Sequence, residues 1–257
     1  MMRHMTLLSL FSILLWTACQ SPSTEESKPT EGTASQTERG DRWVQYGGSR
    51  SDIIQEGDLS ANVSLDSLME IKGLYAIGPI EGLMGEVTIY DGQASIASMD
   101  GDVPVFTSYA EDVSAIFLAY GVNSEWVEME IPYDIYGLVE LEGFVKERLV
   151  ANLQDNEKPF IFRIQGMVDS LDYHIIYKQD DAPHDMAEHQ KAKQRFSMSD
   201  KEVKLLGFWA DQEGEGVYTH PGYRTHVHFM TEDLMASGHI DDIHLKAGAT
   251  LFLPKRR

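Results

Sequence analysis

The run GEVTIYDGQASIAS, residues 85–98, constrains the fold more than any other part of the chain. Two segments with alternating apolar and polar residues flank Asp91-Gly92, a dipeptide that favours a tight two-residue turn. The run therefore predicts a β-hairpin. The same strand-like pattern recurs at residues 103–110, 115–122, 160–166, 170–178, 203–210 and 240–254. Residues 170–178 are expected to form the partner strand of residues 160–166.

Two segments have helical patterns. Residues 64–74 predict a short capped helix that ends at Gly73. Residues 136–153 predict the longest helix, because apolar residues recur there at helical spacing: Leu138, Leu141, Phe144, Val145 and Leu149. The polar run at residues 181–200 predicts a long surface connection. Together these patterns predict an α/β or α+β fold with mixed and antiparallel β-sheets and a few helices.

The start of the chain predicts an export signal. Arg3 precedes a short apolar run, and small residues lead into Cys19, the single cysteine of the chain. This arrangement is similar to a lipoprotein signal, although an ordinary cleaved signal or a short membrane anchor stays open. Residues 20–41 are polar and predict a disordered tether. The prediction is thus an exported lipoprotein of the cell envelope, which contacts a membrane only through a lipid on Cys19.

The expected organisation is a signal at residues 1–19, a tether at 20–41 and a folded domain at 42–257. That domain is expected to divide into two sheet subdomains at about 42–150 and 151–257. A net charge of −20 with no basic cluster argues against a nucleic-acid partner. A small anionic substrate stays compatible with this charge where a metal ion or a buried arginine supplies a local positive charge.

A histidine-rich stretch is the strongest functional signal. His226-Val227-His228 lies in an alternating context, so both imidazoles should project from one face of a strand. A hairpin turn centred at Asp233 and Leu234 would bring His239 beside His228. Three imidazoles with an open fourth position are typical of a catalytic zinc site. A His-x-His pair also occurs on exposed strands, so this interpretation stays open from the residues alone.

The remaining histidines of the folded part are given weaker roles. His220 and His244 are interpreted as supporting partners of the metal site or as surface residues. His174, His184 and His189 are interpreted as structural or surface residues.

Several separated segments resemble the α-acetolactate decarboxylase family, in the same order as in that family. They are the N-terminal run at residues 51–92, FIFRIQG at 160–166, LLGFWA at 205–210, PGY at 221–223, HVHF at 226–229 and SGH at 237–239. The resemblance extends from about residue 51 to residue 254. It implies that fold and the conversion of 2-acetolactate, a 2-hydroxy-3-keto acid, to acetoin with release of CO₂.

Carried over residue by residue, the resemblance makes His226, His228 and His239 the ligands of Zn²⁺. It makes Arg163 the cation that faces the substrate and Glu86 an active-site carboxylate. It also implies a homodimer, and it implies no organic cofactor.

The sequence departs from the family near its end. Family members carry a second active-site glutamate close to the C-terminus, whereas no glutamate follows Glu232 here. Asp241 or Asp242 could supply the missing carboxylate. Two rival functions stay open: a zinc enzyme of the same fold that acts on another hydroxy-keto acid, and an exported lipoprotein that only binds a metal or ligand.

Overall fold

A computed structural model describes residues 42–153, 158–179 and 182–255, which belong to one compact unit. The predicted signal, Cys19 and the tether lie outside these residues. Within them no helix has the length and the apolar character needed to cross a bilayer.

The described residues form fifteen strands and two α-helices. The first eight strands are β1 (Arg42–Gly47), β2 (Val63–Ser64), β3 (Leu74–Pro79), β4 (Glu86–Tyr90), β5 (Gln93–Asp100), β6 (Val103–Thr107), β7 (Ser114–Ala115) and β8 (Leu118–Asn123). The next elements are β9 (Trp126–Glu130), β10 (Ile135–Tyr136), α1 (Gly137–Leu153), β11 (Phe160–Ile176), α2 (Met186–Ala192) and β12 (Lys193–Trp209). The last strands are β13 (Thr225–Met230), β14 (Ser237–Leu245) and β15 (Thr250–Pro254). A π-helical turn covers Asp52–Glu56, and a 3-10 turn covers Glu81–Leu83.

The strands form two main antiparallel sheets. The first sheet has the order β1-β8-β3-β4-β5-β6, and the second has the order β10-β14-β13-β12-β11-β15-β9. In the second sheet β14 also pairs with β11, so β11, β12, β13 and β14 close into a ring. Strands β2 and β7 form a separate pair. The division between the two main sheets falls after Asn123, earlier than the expected division near residue 150.

The hairpin predicted at residues 85–98 is confirmed as β4 and β5. Tyr90 pairs with Gln93, and the turn residues Asp91 and Gly92 have φ angles of 53° and 80°. Both central residues at positive φ are the signature of a type I′ turn, which Asp-Gly favours. The hairpin fixes the direction of β4, whose residues Glu86, Thr88 and Tyr90 lie on the same face of the first sheet.

The helix predicted at residues 136–153 is confirmed as α1. Its buried side chains recur at helical spacing and pack on the second sheet: Leu141, Phe144, Val145 and Leu149. Together with the buried face of that sheet they form the largest apolar cluster. A second apolar cluster contains residues of both main sheets, among them Ile77 and Ala119 of the first and Leu206 and Phe208 of the second.

Three local predictions are wrong. Residues 65–73, between β2 and β3, form a series of turns instead of the helix predicted at 64–74, with Leu65 and Leu68 buried in a third apolar cluster. Residues 160–166 and 170–176 are parts of one long strand, β11, which pairs with β12 from Phe160 to Ile176, so the two predicted strands are not partners of each other. Within the polar run predicted as a surface connection, residues 186–200 form α2 and the first half of β12 instead. That half alternates exposed and partly buried side chains, which explains its polar composition.

Candidate active site and metal centre

Two of the three predicted ligands come from β13. All six residues of this strand are buried, so both of its faces are covered. Val227 and Phe229 belong to the cluster beneath α1, while His226 and His228 alternate with them and point to the opposite face. Glu142 of α1 fixes the beginning of the strand: its Oε2 accepts hydrogen bonds from the backbone N–H groups of Arg224 and Thr225, at 2.9 and 3.0 Å.

The third predicted ligand is placed by the β13–β14 hairpin. His239 pairs directly with His228, as the sequence predicted, and also with His174 of β11. The close approach of β14 to β11 requires a glycine before His239, since a Cβ at Gly238 would lie 2.8 Å from the carbonyl oxygen of His174.

The three imidazoles have the spacing that a shared ion requires. The ring centroids of His226 and His228 lie 4.9 Å apart, those of His226 and His239 4.9 Å, and those of His228 and His239 5.4 Å. Rings that share one ion through bonds of about 2.0–2.1 Å, at angles of about 90–110°, have centroids about 4.5–5.2 Å apart. The spacing therefore fits a divalent metal, with little adjustment of the side chains.

The nitrogen atoms of these rings are also poorly satisfied without an ion. His228 Nε2 lies 3.2 Å from His226 Nε2, and two neutral imidazoles can place at most one proton between them. The Nδ1 atoms of His226 and His239 are buried and have no hydrogen-bond partner among the described residues. Burial lowers the pKa of His226 to about 3 and the pKa values of His228 and His239 well below the ordinary value. Neutral rings with available lone pairs are what a metal needs.

Thr88 orients one of these rings. Its Oγ1 lies 2.9 Å from His228 Nδ1, and both groups are buried. When Nδ1–H donates to the hydroxyl oxygen, Nε2 keeps its lone pair on the side of His226. Such a hydrogen bond to the second ring nitrogen is the usual support of a metal-ligating histidine.

Glu86 lies next to the imidazoles at the start of β4. It is 3% exposed, and its carboxylate oxygens lie 3.9 Å from His228 Nε2 and 3.9 Å from His174 Nε2. Burial raises the pKa of Glu86 to about 8, against the opposing effects of the Lys193 ammonium and a backbone hydrogen bond from Ile176. In the metal-free protein, burial therefore favours the protonated carboxyl group, which can donate a proton.

His174 and Asp241 also belong to this site, and the sequence interpretation missed His174. His174 is 3% exposed, its Nδ1 lies 2.9 Å from Asp241 Oδ1, and its ring centroid lies 4.5 Å from that of His239. Ligand atoms of His174, His239 and Asp241 lie within 4.8 Å of one another, so this set could also hold an ion. Of the two candidate replacements for the missing glutamate, Asp241 is thus the one that contacts a site histidine.

A small cavity that is partly open to solvent lies beside the histidines. Its lining includes Glu86, His174, His226 and His239, together with two cationic side chains, Arg50 and Lys193. Lys193 Nζ lies 3.8 Å from Asp241 Oδ1, and burial lowers the pKa of Lys193. His220 also lines the cavity, and its ring centroid lies 5.6 Å from that of His239.

Arg163 does not line this cavity. Its guanidinium lies over the rings of Trp126 and Phe252, at 4.1 and 4.6 Å from their centroids, and its Nη1 donates to the hydroxyl of Tyr75 at 3.1 Å. The strand position predicted for Arg163 is right, since it lies in β11 opposite Leu206 and Phe252. The structure does not bring it together with the predicted ligands and Glu86, and its role toward a substrate stays a prediction.

The fold resembles the solved structures of an acetolactate decarboxylase and of a related protein. The acetolactate decarboxylase of Bacillus subtilis strain 168 superimposes with a TM-score of 0.68 at 16% identity, over 83% of this chain and 86% of that one. A protein from Staphylococcus aureus, described as similar to α-acetolactate decarboxylase, gives a TM-score of 0.65 at 14% identity, over 83% of this chain and 88% of that one.

Sequence comparison agrees with the fold. The α-acetolactate decarboxylase of Methanosarcina mazei is 25% identical over 181 residues, which are 70% of this chain and 59% of that protein. The chain thus matches about three fifths of the length of that relative. The enzyme of Bacillus licheniformis is 24% identical over 196 residues, which are 76% of this chain and 71% of that protein. The family model for α-acetolactate decarboxylase matches residues 46–253, and the chain therefore belongs to the α-acetolactate decarboxylase family.

Proposed function

We propose that this protein decarboxylates 2-acetolactate to acetoin and CO₂ in a metal-dependent reaction. The observation that carries the proposal is the position of Glu86, a buried carboxyl group 3.9 Å from His228 Nε2 in a cavity that also contains two cations. A proton donor, a set of neutral imidazoles and a cationic wall are the groups that this reaction needs. Family membership supports the same reaction.

The substrate carboxylate is assigned to the cationic side of the cavity. Lys193 and Arg50 line it, whereas Arg163 lies outside it. A charge-assisted hydrogen bond from Lys193 would hold the carboxylate until the carbon–carbon bond breaks. A divalent ion held by His226, His228 and His239 would act as a Lewis acid toward the ketone and hydroxyl oxygens of the substrate.

Glu86 is assigned the proton transfer. Loss of CO₂ leaves an electron pair that delocalises onto the ketone oxygen and gives an enediolate. The protonated Glu86 then donates its proton to carbon and becomes a carboxylate. A carboxyl group with a pKa near 8 is well matched to a donor that must be reloaded close to neutral pH.

Zinc is the proposed metal, because three imidazoles with an open position form its usual catalytic site. Three imidazoles also accept copper, nickel or iron. Metal analysis of the purified protein distinguishes these ions.

The deciding experiment measures acetoin formation from racemic 2-acetolactate by the full chain, with and without a chelator. We expect activity that the chelator removes and added zinc restores. Glu86→Gln should keep the metal and lose most of the activity. A folded, zinc-loaded protein that makes no acetoin would refute the proposal.

A second candidate function is the decarboxylation of a different 2-hydroxy-3-keto acid at the same site. The position of Arg163 outside the cavity favours it, because the arginine that the family resemblance assigns to the substrate does not line the wall that meets the substrate. Comparing 2-acetolactate with its homologue that carries an ethyl group in place of a methyl tests this candidate. If the protein binds zinc but converts neither acid, the remaining candidate function is non-catalytic binding of a metal or ligand.

We further propose that the protein acts outside the cytoplasm as a lipoprotein anchored through Cys19. The support is the sequence of residues 1–41 alone. Radiolabelled fatty acid should label the wild-type chain in its host and should not label Cys19→Ala. Equal labelling of the two chains would refute the anchor.

A further inference from the structure

Two buried histidines outside the metal centre connect its cavity with a second cleft. His184 Nε2 lies 3.2 Å from His189 Nδ1, and each residue is 8% exposed. His189 lines the cavity that contains Glu86. His184 lines a separate cleft, together with Gly57, Gly82 and Lys178. The histidine pair therefore spans the wall between the two spaces.

The backbone holds this pair in place. Asp185 caps α2, accepting hydrogen bonds from the N–H groups of Ala187 and Glu188 at 2.8 and 2.9 Å. The N–H of His189 donates to the carbonyl of Asp185, which fixes the spacing of the two rings. On the other side, a Cβ at Gly57 would lie 2.9 Å from the carbonyl oxygen of His184, so the adjoining turn packs directly on this segment.

Both rings are neutral at neutral pH. Burial lowers the pKa of His189 to about 3 and also lowers that of His184. The charged groups around His184 are Lys178, Asp185 and Glu188, and those around His189 are Lys193 and Arg50. A neutral imidazole carries one N–H and one lone pair, so one ring of the pair donates the hydrogen bond and the other accepts it.

One nitrogen of the pair is unsatisfied. His184 Nδ1 is buried and has no hydrogen-bond partner in the described part of the chain. A buried nitrogen without a partner costs free energy, and a structure retains one where it has a use. His184 also lines the outer cleft, so a proton that enters from that side reaches this ring before it reaches His189.

The proposed reaction requires such a proton. The substrate carboxylate leaves as neutral CO₂, and the electron pair of the broken carbon–carbon bond takes up one proton to give acetoin. Each turnover therefore consumes one proton. Glu86 can deliver it once and must then be reprotonated, although it is only 3% exposed.

We propose that His184 and His189 form the proton path that reloads the cavity from the outer cleft, an inference that rests on the function proposed above. A proton binds His184 Nδ1 while His184 Nε2–H moves to His189 Nδ1 and His189 Nε2–H is released into the cavity toward Glu86. Each ring gains one proton and loses one, so no charged imidazole has to be stored. A reorientation of both rings restores the starting tautomers.

The test compares His184→Gln and His189→Gln with His244→Gln in the metal-loaded full chain. His244 is a suitable control because its nitrogens lie beside Asp134 and Asp169, away from the pair. We expect kcat of both relay variants to fall about 10- to 100-fold, with unchanged KM and metal content. The solvent deuterium isotope effect on kcat should rise, added imidazole should restore part of the rate, and His244→Gln should behave as the wild type.

Several results would overturn the proposal. Unchanged kcat in both relay variants would exclude the path. If kcat falls but added imidazole does not restore it and the solvent deuterium isotope effect does not rise, the histidines have a structural role. A second equivalent of metal that His184→Gln loses would identify a metal site instead. If His189→Gln lowers Tm, its loss of rate could come from unfolding, and the kinetics of His184→Gln, at the outer end of the pair, then decide whether the path exists. Wild-type protein that forms no acetoin would refute the proposed function first, and the path with it.

Discussion

Thr88 and His228 are 140 positions apart in the chain, yet Thr88 Oγ1 lies 2.9 Å from His228 Nδ1. Thr88 belongs to the first sheet and His228 to the second, so the first sheet orients a histidine that the second sheet carries. Glu86 lies on the same face of β4 as Thr88. One strand of the first sheet therefore supplies both the proposed proton donor and the support of a proposed ligand.

Removing this hydroxyl should weaken metal binding while leaving all three imidazoles in place. Thr88→Val keeps the shape of the side chain, and loss of such a supporting hydrogen bond typically lowers metal affinity about 10- to 100-fold. Ser95→Ala is the matched control, because Ser95 Oγ also bridges the sheets, at 2.8 Å from Ser237 Oγ, without touching a histidine. Competition with a chromogenic chelator measures both affinities, and an equal loss in the two variants would argue against the role of Thr88.

Substitution of a proposed ligand should remove the metal, whereas substitution of a histidine outside the site should not. His228→Ala and His239→Ala should each abolish metal retention through gel filtration, since two imidazoles hold zinc far less tightly than three. His244→Ala should retain a full equivalent. Elemental analysis of the three proteins gives the answer, and full zinc occupancy in either of the first two would remove that residue from the ligand set.

Substitutions of Lys193 and Arg163 test which of these two cations binds the substrate carboxylate. Lys193→Met should lower kcat/KM about 10- to 100-fold, because a hydrogen bond to a charged group contributes about 1.5–3 kcal/mol. Arg163→Met should mainly lower Tm, because its guanidinium packs against Trp126 and Phe252. Steady-state kinetics and thermal unfolding of both variants decide. The opposite pattern would return the substrate-binding role to Arg163.

The parts of the site that sequence reasoning predicted are those that depend on short-range periodicity. The alternation of β13 placed His226 and His228 on one face, and the length of the following turn placed His239 opposite His228. The hairpin at Asp91-Gly92 likewise fixed the face of β4 that carries Glu86. In each case neighbouring strands are joined by a short turn, so spacing along the chain determines spacing in the fold.

The parts that were missed depend on long-range pairing. His174 reaches His239 only because β14 pairs with β11 as well as with β13, and the register of that contact includes two shifts that no local pattern marks. Lys193 reaches the cavity because a polar segment continues as β12 instead of forming a loop. Lys193 of the cationic wall therefore comes from a segment that the sequence predicted to be a surface connection, whereas Arg163, in a clear strand, lies among aromatic rings.

The buried titratable groups of the site should also give stability a characteristic dependence on pH. Each buried histidine has a lowered pKa in the folded protein, so the unfolded chain binds more protons below about pH 6.5. Stability of the metal-free protein should therefore fall as the pH is lowered from 6.5. Glu86 acts in the opposite sense, because its folded pKa of about 8 exceeds its ordinary value of 4.5. The folded protein binds the extra proton between these values, so stability should decline as the pH rises through them.

The histidines of the unfolded chain still lose protons just above pH 6.5 and raise stability there, so the Glu86 effect is measured as the difference between the wild type and Glu86→Gln. One proton changes stability by about 1.4 kcal/mol per pH unit, so Glu86 itself should contribute a decline of about 2 kcal/mol between pH 6.5 and 8. Glu86→Gln should remove this decline, whereas Glu81→Gln, at an exposed neighbouring position, should keep it. Urea unfolding of the three proteins in the presence of a chelator provides the measurement. The same pH dependence in the wild type and in Glu86→Gln would mean that Glu86 is already ionised in the metal-free fold, and that it could not act as the proton donor near neutral pH.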